Sequence, residues 1–310
     1  MSTFFNAVSS VAIIFLLTAV GYYCAARRWM GPEVKAFISR YLMRLAIPFM
    51  CTHSLVKNLS RELFFSSAKL LFLCVLGTAI VLGFAFLAGK LLHLPRSKYG
   101  VFVMMSGLSN ALFIGYAMCS ELFGEVCAPY VMLYYLVNTS CVQLIGIPMI
   151  RWSGENEGFS AQMIKKFLTA PTVLSVFVGF ALVFLNWKLP PLVASFAGYL
   201  SNTVTPLALF LTGCIIYEIG LENLKLDKSI AAVLFARFLF APAVCLTLCA
   251  AFGVTGLARS VFTVEFAMPV VSQTIVAATE YGADAQYAAR GIAVTTLACF
   301  VVIPVLMVLL

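Results

Sequence analysis

Apolar runs of about 20 residues recur along the whole length of this chain, the length a helix needs to cross a hydrocarbon layer roughly 30 Å thick. No water reaches that layer, so every backbone donor and acceptor inside it must find a partner within the chain, and successive runs of this kind are predicted to be helices. The expected fold class is an all-α polytopic membrane protein. Ten spans are predicted, at about 4–26, 34–56, 67–92, 99–122, 127–150, 167–187, 191–218, 229–252, 256–280 and 286–309. A soluble fold fails on composition: 10% of the 310 residues are charged, against about 25% in soluble domains. The longest polar connection, 152–166, is too short to fold by itself.

The net charge of +8 invites nucleic acid as a partner, but the Lys and Arg residues stand singly between apolar runs and form no patch. They report topology instead. With the N-terminus outside, the cytoplasmic connections collect Arg27, Arg28, Lys35, Lys90, Arg96, Lys98, Arg151, Lys165, Lys166, Lys225 and Lys228. The other side receives Lys57, Arg61, Lys69, Lys188 and Arg259. Both termini are therefore expected on the non-cytoplasmic side, and the first apolar run, too long for a cleaved signal, is expected to stay as span 1. The ten cysteines form no C-x-x-C pair and read as small buried apolar residues, with no metal site and no cofactor implied.

Sliding the halves past each other shows an internal repeat. Gly21 pairs with Gly179, Pro48 with Pro206 and Gly124 with Gly282 at an offset of 158, and Ile147-Pro148 with Ile303-Pro304 at 156. Five spans per repeat is an odd number, so the second repeat must insert upside down relative to the first. The expected division is 1–151 for the first repeat, 152–166 for a cytoplasmic linker and 167–310 for the second repeat.

Residues 265–282, EFAMPVVSQTIVAATEYG, break the apolar pattern of span 9 with Glu265, Pro269, Ser272, Gln273 and Thr274 at mid-membrane depth. A helix interrupted there is tolerable only against protein or a water-filled cavity. The repeat offset carries Met268 to Asn110 of span 4, amid Ser106, Gly107, Ser109 and Gly115, residues small enough for two backbones to meet. Ordinary kinks and small-residue helix packing would produce the same features one at a time.

Taken in order, several motifs resemble the auxin efflux carrier family, whose members include bacterial malonate and malate permeases. They are Ile47-Pro48, Asn110-x-x-Phe113-x-Gly115, Pro206-Leu207-Ala208-Leu209 with Gly213, Arg237 with Pro242, Glu265-x-Ala267-Met268-Pro269 with Tyr281-Gly282, and Thr295-Thr296 before Ile303-Pro304. The resemblance implies a fold like that of bile-acid symporters and sodium/proton antiporters. Spans 1, 2, 6 and 7 would form a scaffold, spans 3 to 5 and 8 to 10 a transport core, and spans 4 and 9 would cross at their breaks. It also implies a compact bacterial form in the inner (plasma) membrane. Similar proteins usually carry a proline two residues after the span 4 glycine, where this chain has Ala117, so a gentler break is expected there.

Half-helix N-termini present unpaired N–H groups and partial positive charge, which suits a small carboxylate. Ser109, Asn110, Gly115, Pro269, Ser272, Gln273 and Thr274 are the expected substrate contacts. Glu265 and Arg237 each lie about nine residues into their spans, roughly 13 Å deep, and are expected as neighbours: a structural ion pair, or a site where Glu265 takes up a proton during transport. Moving a dianion inward against 100 mV costs about 4.6 kcal/mol, so import requires a coupled proton, sodium or exchange. Sodium would want several oxygens around Glu265 and Gln273.

The function expected is secondary transport of a small organic anion, such as malonate or malate, by alternating access, with proton coupling as an option and the coupling ion left open. The alternatives are a sodium-coupled bile-acid-like carrier, a channel, or a transporter-derived sensor. A membrane enzyme is disfavoured, since His53 and His93 are the only histidines and no catalytic set shares a depth. Scaffold spans rich in Gly and Ala could pack as a homodimer.

Overall fold

A computed structural model describes residues 2–59, 61–154, 164–165, 168–220 and 226–309. Most of the linker expected at 152–166, with Lys166 and Lys225, lies outside these. The helices are α1 (Ser2–Ala26), α2 (Pro32–Tyr41), α3 (Ile47–Asn58), α4 (Arg61–Leu91), α5 (Arg96–Gly107), α6 (Tyr116–Phe123), α7 (Ala128–Cys141) and α8 (Ile147–Ser153). They continue with α9 (Pro171–Phe184), α10 (Pro191–Asn202), α11 (Val204–Ile219), α12 (Lys228–Phe235), α13 (Ala241–Ala251), α14 (Gly256–Phe266), α15 (Gln273–Tyr281) and α16 (Ala285–Leu309). Among the described residues no strand forms. Five continuous stretches, 67–91, 125–153, 191–219, 228–251 and 285–308, are long and apolar enough to cross a membrane, and three shorter apolar helices accompany them. Large apolar side chains such as Phe37, Leu87, Leu192 and Val301 are exposed on the perimeter, a surface that suits lipid and not water.

Among the described residues four π turns widen the helices, and the positions of three follow from proline chemistry. Proline has no N–H and its ring collides with the carbonyl four residues back, so a helix running into it must loosen. The turns Leu42–Ala46, Val142–Gly146 and Ala236–Phe240 each end two residues before a proline: Pro48, Pro148 and Pro242. The fourth, Ala111–Gly115, ends two residues before Ala117. The gentler span 4 expected from Ala117 is not what forms. The helix stops at Gly107 and resumes at Ala111, and the π turn is held by Gly115 N–H donating to the Asn110 carbonyl at 2.9 Å.

The helices pack in two sets. In one, α1 lies along α11, and α3 lies against α9 and α10. Contact between α1 and α11 is backbone to backbone: a Cβ on Gly21 would strike the Phe210 carbonyl, and one on Gly213 the Thr18 carbonyl. In the other set α4 packs on α5, α7 and α13, α5 on α8, and α15 on α16 and α8. A buried apolar core including Ile14, Met50, Met118, Met132 and Met268 joins the two.

Helix ends gather on two faces. On one, Asp284 N–H donates to Ser97 O at 3.1 Å, Lys98 pairs with Asp284 at 3.8 Å, Arg290 pairs with Asp227 at 3.5 Å and Lys35 pairs with Glu218. On the other, Lys57 meets Glu125.

Candidate functional site

Two interrupted helices meet in the middle of the molecule. After α5, Leu108 is extended (φ −125°, ψ 141°), and after α14 the chain is non-helical until Gln273. The open stretches run antiparallel, bridged at Ser109 and Val270, with Asn110 N–H donating to Pro269 O at 2.8 Å. This bridge satisfies only part of the broken backbone. Buried polar groups left unpaired cost about 1–3 kcal/mol each, and side chains take up the remainder.

At the first break Asn138 on α7 acts on both sides of one residue. Its Oδ1 accepts from Ser109 N–H at 3.0 Å and its Nδ2 donates to Ser109 O at 2.8 Å. The Ser109 hydroxyl lies 2.9 Å from the Tyr134 hydroxyl. At the second break Thr295 Oγ1 accepts from Val270 N–H at 3.1 Å. The carbonyls there go to Arg237, whose Nη2 donates to Phe266 O at 2.8 Å and Met268 O at 2.9 Å, while Nε donates to Met268 O at 3.0 Å. Arg237 is fully buried and sits in the π turn ahead of Pro242.

A cavity of about 650 Å³ runs from the face carrying Asp284 toward this crossing. Its walls include Ser39, Phe113, Leu211, Glu218, Ser272, Gln273, Gln286 and Arg290. A second space of about 40 Å³ shares Met43, Phe113, Ser272 and Gln273 with it and adds Ser109, Asn110, Asn138 and Thr139. Asn110 Nδ2 donates to Ser272 Oγ at 3.0 Å, joining the two breaks through side chains that line this space. Both α15 and the π turn leading into α6 begin here, so their N-terminal N–H groups surround the same point.

Of the expected contacts, Ser272 and Gln273 thus line both the cavity and the small space at its end, and Ser109 and Asn110 line the small space alone. Gly115, Pro269 and Thr274 line neither. A Cβ on Gly115 would lie 2.5 Å from Glu265 Oε2, so the glycine makes room for that carboxylate. Pro269 contributes its carbonyl to Asn110, and the buried Thr274 hydroxyl donates to Val271 O at 2.8 Å. The expected Arg237–Glu265 ion pair does not form. Glu265, also fully buried, accepts from Cys119 Sγ at 3.7 Å, and its Oε2 has no partner. The two groups separate at the end of α14: the guanidinium takes the carbonyls of Phe266, its last residue, and of Met268 just beyond, while the carboxylate points toward Cys119 of α6.

Asn138 and Tyr134 were not singled out in the sequence, although a signal existed. Asn138 lies 157 residues before Thr295, an offset within the repeat's own range, and both receive a backbone N–H from a break. Outside the spans, Asp227 caps α12: its Oδ1 accepts from Ser229 N–H at 2.9 Å and Ile230 N–H at 2.8 Å. Partial burial works to raise its pKa, but the Ser229 hydroxyl, these two amides and Arg290 hold it below the ordinary carboxylate value.

A bundle of apolar helices in which two interrupted helices cross at the end of a cavity is a transporter architecture. The family model described as membrane transport protein matches residues 6–307, and the chain belongs to that family, the auxin efflux carrier family. It is an integral membrane protein of a transport family and not of an enzymatic one. The chain is 28% identical to an uncharacterized transporter of Methanocaldococcus jannaschii over 294 residues, 92% of this chain and 93% of the relative. It is 23% identical to an uncharacterized transporter of Methanothermobacter thermautotrophicus over 304 residues, 97% of each chain.

Proposed function

We propose that this chain is a secondary transporter that carries a small organic anion, a carboxylate such as malonate or malate, by alternating access. The observation that carries the reading is the Asn110–Ser272 contact lining the space at the end of the cavity, beside two helix N-termini. Amide and hydroxyl donors with N-terminal N–H groups favour a carboxylate. The buried Arg237 charge behind them adds to that preference.

In this reading ten spans form two inverted five-helix repeats, 1–151 and 167–310. The set built on α1, α3 and α9 to α11 is the scaffold, and the remainder is the core that moves against it. The excess of Lys and Arg on the Asp284 face makes that face cytoplasmic, leaves both termini outside, and makes the cavity inward-facing. A bacterial inner membrane is the matching location. Glu265, faced by Cys119 of α6, Cys127 and the more distant Arg237, is the candidate proton carrier.

Counterflow in proteoliposomes tests this. Labelled malonate should exchange against unlabelled dicarboxylates, and Asn110→Ala and Gln273→Ala should each cut exchange roughly ten-fold or more, the loss of one good polar contact, in protein that keeps the wild-type unfolding temperature. Exchange that ignores both substitutions would remove the site from the crossing.

A further inference from the structure

Interrupted membrane helices leave two kinds of loose end. Their N-termini offer N–H groups to an anion, and their C-termini and unwound carbonyls offer oxygens to a cation, which in many carriers is the coupling ion. In this chain the second kind of end is occupied. The carbonyls of Phe266 and Met268, just past Glu265, receive three hydrogen bonds from one guanidinium at 2.8 to 3.0 Å. That guanidinium is fully buried, meets no carboxylate in an ion pair, and keeps Nη1 without a partner. The π turn Ala236–Phe240 sets the side chain there.

We infer that Arg237 is a tethered cation: it holds the carbonyl site that a mobile coupling cation would need, so the carrier moves its anion without sodium. The inference rests on the transporter reading above and extends it to the coupling ion. Three features distinguish this from ordinary capping. A neutral donor suffices at the other break, where Asn138 holds Ser109 O, so capping alone does not require a charge. A guanidinium keeps its proton at any physiological pH, so the positive charge is permanent and cannot leave with the substrate. Burying an ion without a paired counter-charge is expensive; the guanidinium lines neither space, and an anion at the N-terminal ends of the same crossing would supply that counter-charge through the field. Glu265 does not serve, since its carboxylate is turned to Gly115 and Cys119.

The test compares wild type, Arg237→Ala and Arg237→Gln in proteoliposomes exchanging malonate in sodium, potassium or choline buffer. Wild-type exchange should be equal in all three. Arg237→Ala should lose roughly ten-fold or more, as for a lost charge-assisted contact, and recover part of it when millimolar guanidinium, or sodium, is supplied. Arg237→Gln, which keeps a donor for the carbonyls and removes the charge, should fold and remain inactive. Sodium-dependent wild-type exchange, an active Arg237→Gln, or an Arg237→Ala protein that neither cation restores would overturn the inference. If wild type exchanges no acid, the transporter reading fails on its own, and thermal unfolding in detergent still decides. Guanidinium should then raise the unfolding temperature of Arg237→Ala and leave wild type unchanged, and no rise would overturn the inference. Should Arg237→Ala fail to fold, the wild-type cation series and Arg237→Gln decide.

Discussion

The break after α5 and the break after α14 answer the same physical need by different chemistry. Each opens backbone groups in a region without water, and each receives a side-chain acceptor for one N–H: Asn138 for Ser109, Thr295 for Val270. Their carbonyls are treated differently. Asn138 uses a neutral amide on Ser109 O, whereas Arg237 spends a buried charge on Phe266 O and Met268 O. A neutral cap stabilises the backbone and leaves the local field alone. A charged cap stabilises the backbone and also adds a field that acts on whatever occupies the adjoining cavity. The difference locates structural work on α7 and electrostatic work on the turn before α13.

The comparison would be broken most directly by removing both caps in turn. Arg237→Met strands two carbonyls and Asn138→Leu strands the N–H and C=O of Ser109, so each is expected to cost about 2–6 kcal/mol at 1–3 kcal/mol per buried unpaired group. Unfolding temperatures in detergent should fall for both. The sharper expectation concerns charge: Asn138→Gln or Asn138→Ser, where folded, should retain exchange at reduced rate, while no neutral residue at 237 should. Equal tolerance at the two positions would erase the distinction.

A middle-sized effect is expected where the two breaks touch through Gly115. Adding a methyl there drives it into the Glu265 carboxylate, and overpacking of this kind costs about 1–3 kcal/mol. Combining Gly115→Ala with Glu265→Ala should return most of the lost unfolding temperature. Additive losses in the double variant would show that the two residues do not share that space.

The smallest effect lies away from both breaks. Asp227→Ala should cost about 1 kcal/mol, as for other helix caps, with exchange retained. The pKa of Asp227 is lowered on folding, so its contribution is complete above the ordinary carboxylate value of about 4. It should fade as pH falls through the lower folded value. An unfolding temperature for Asp227→Ala that parallels wild type across that acid range would contradict the assignment.

The positions of the breaks were legible before any coordinates, because polar and small residues cannot sit in an apolar run without a reason. Asn110, Ser272 and Gln273 follow from that rule alone. What lies behind them was harder to read. Thr274 and Gly115 carry the same signature as the cavity residues, yet the Thr274 hydroxyl bonds the Val271 carbonyl just before its own helix and the glycine accommodates a carboxylate. One turn of helix moves a side chain from a cavity to a core, and no pattern in the residues records that rotation. The pairing of Arg237 with Glu265 was inferred from equal depth, and depth fixes one coordinate of three.

The sequence by itself therefore determined that this chain lives in a membrane as helices, where those helices are interrupted, and the family it belongs to, since each depends on local hydropathy or residue order. Only the tertiary structure decided which groups close each break. Backbone carbonyls at and just past the end of a helix accept from any donor the packing brings to them with the right geometry, and the packing brings the guanidinium of the π turn Ala236–Phe240 to Phe266 and Met268.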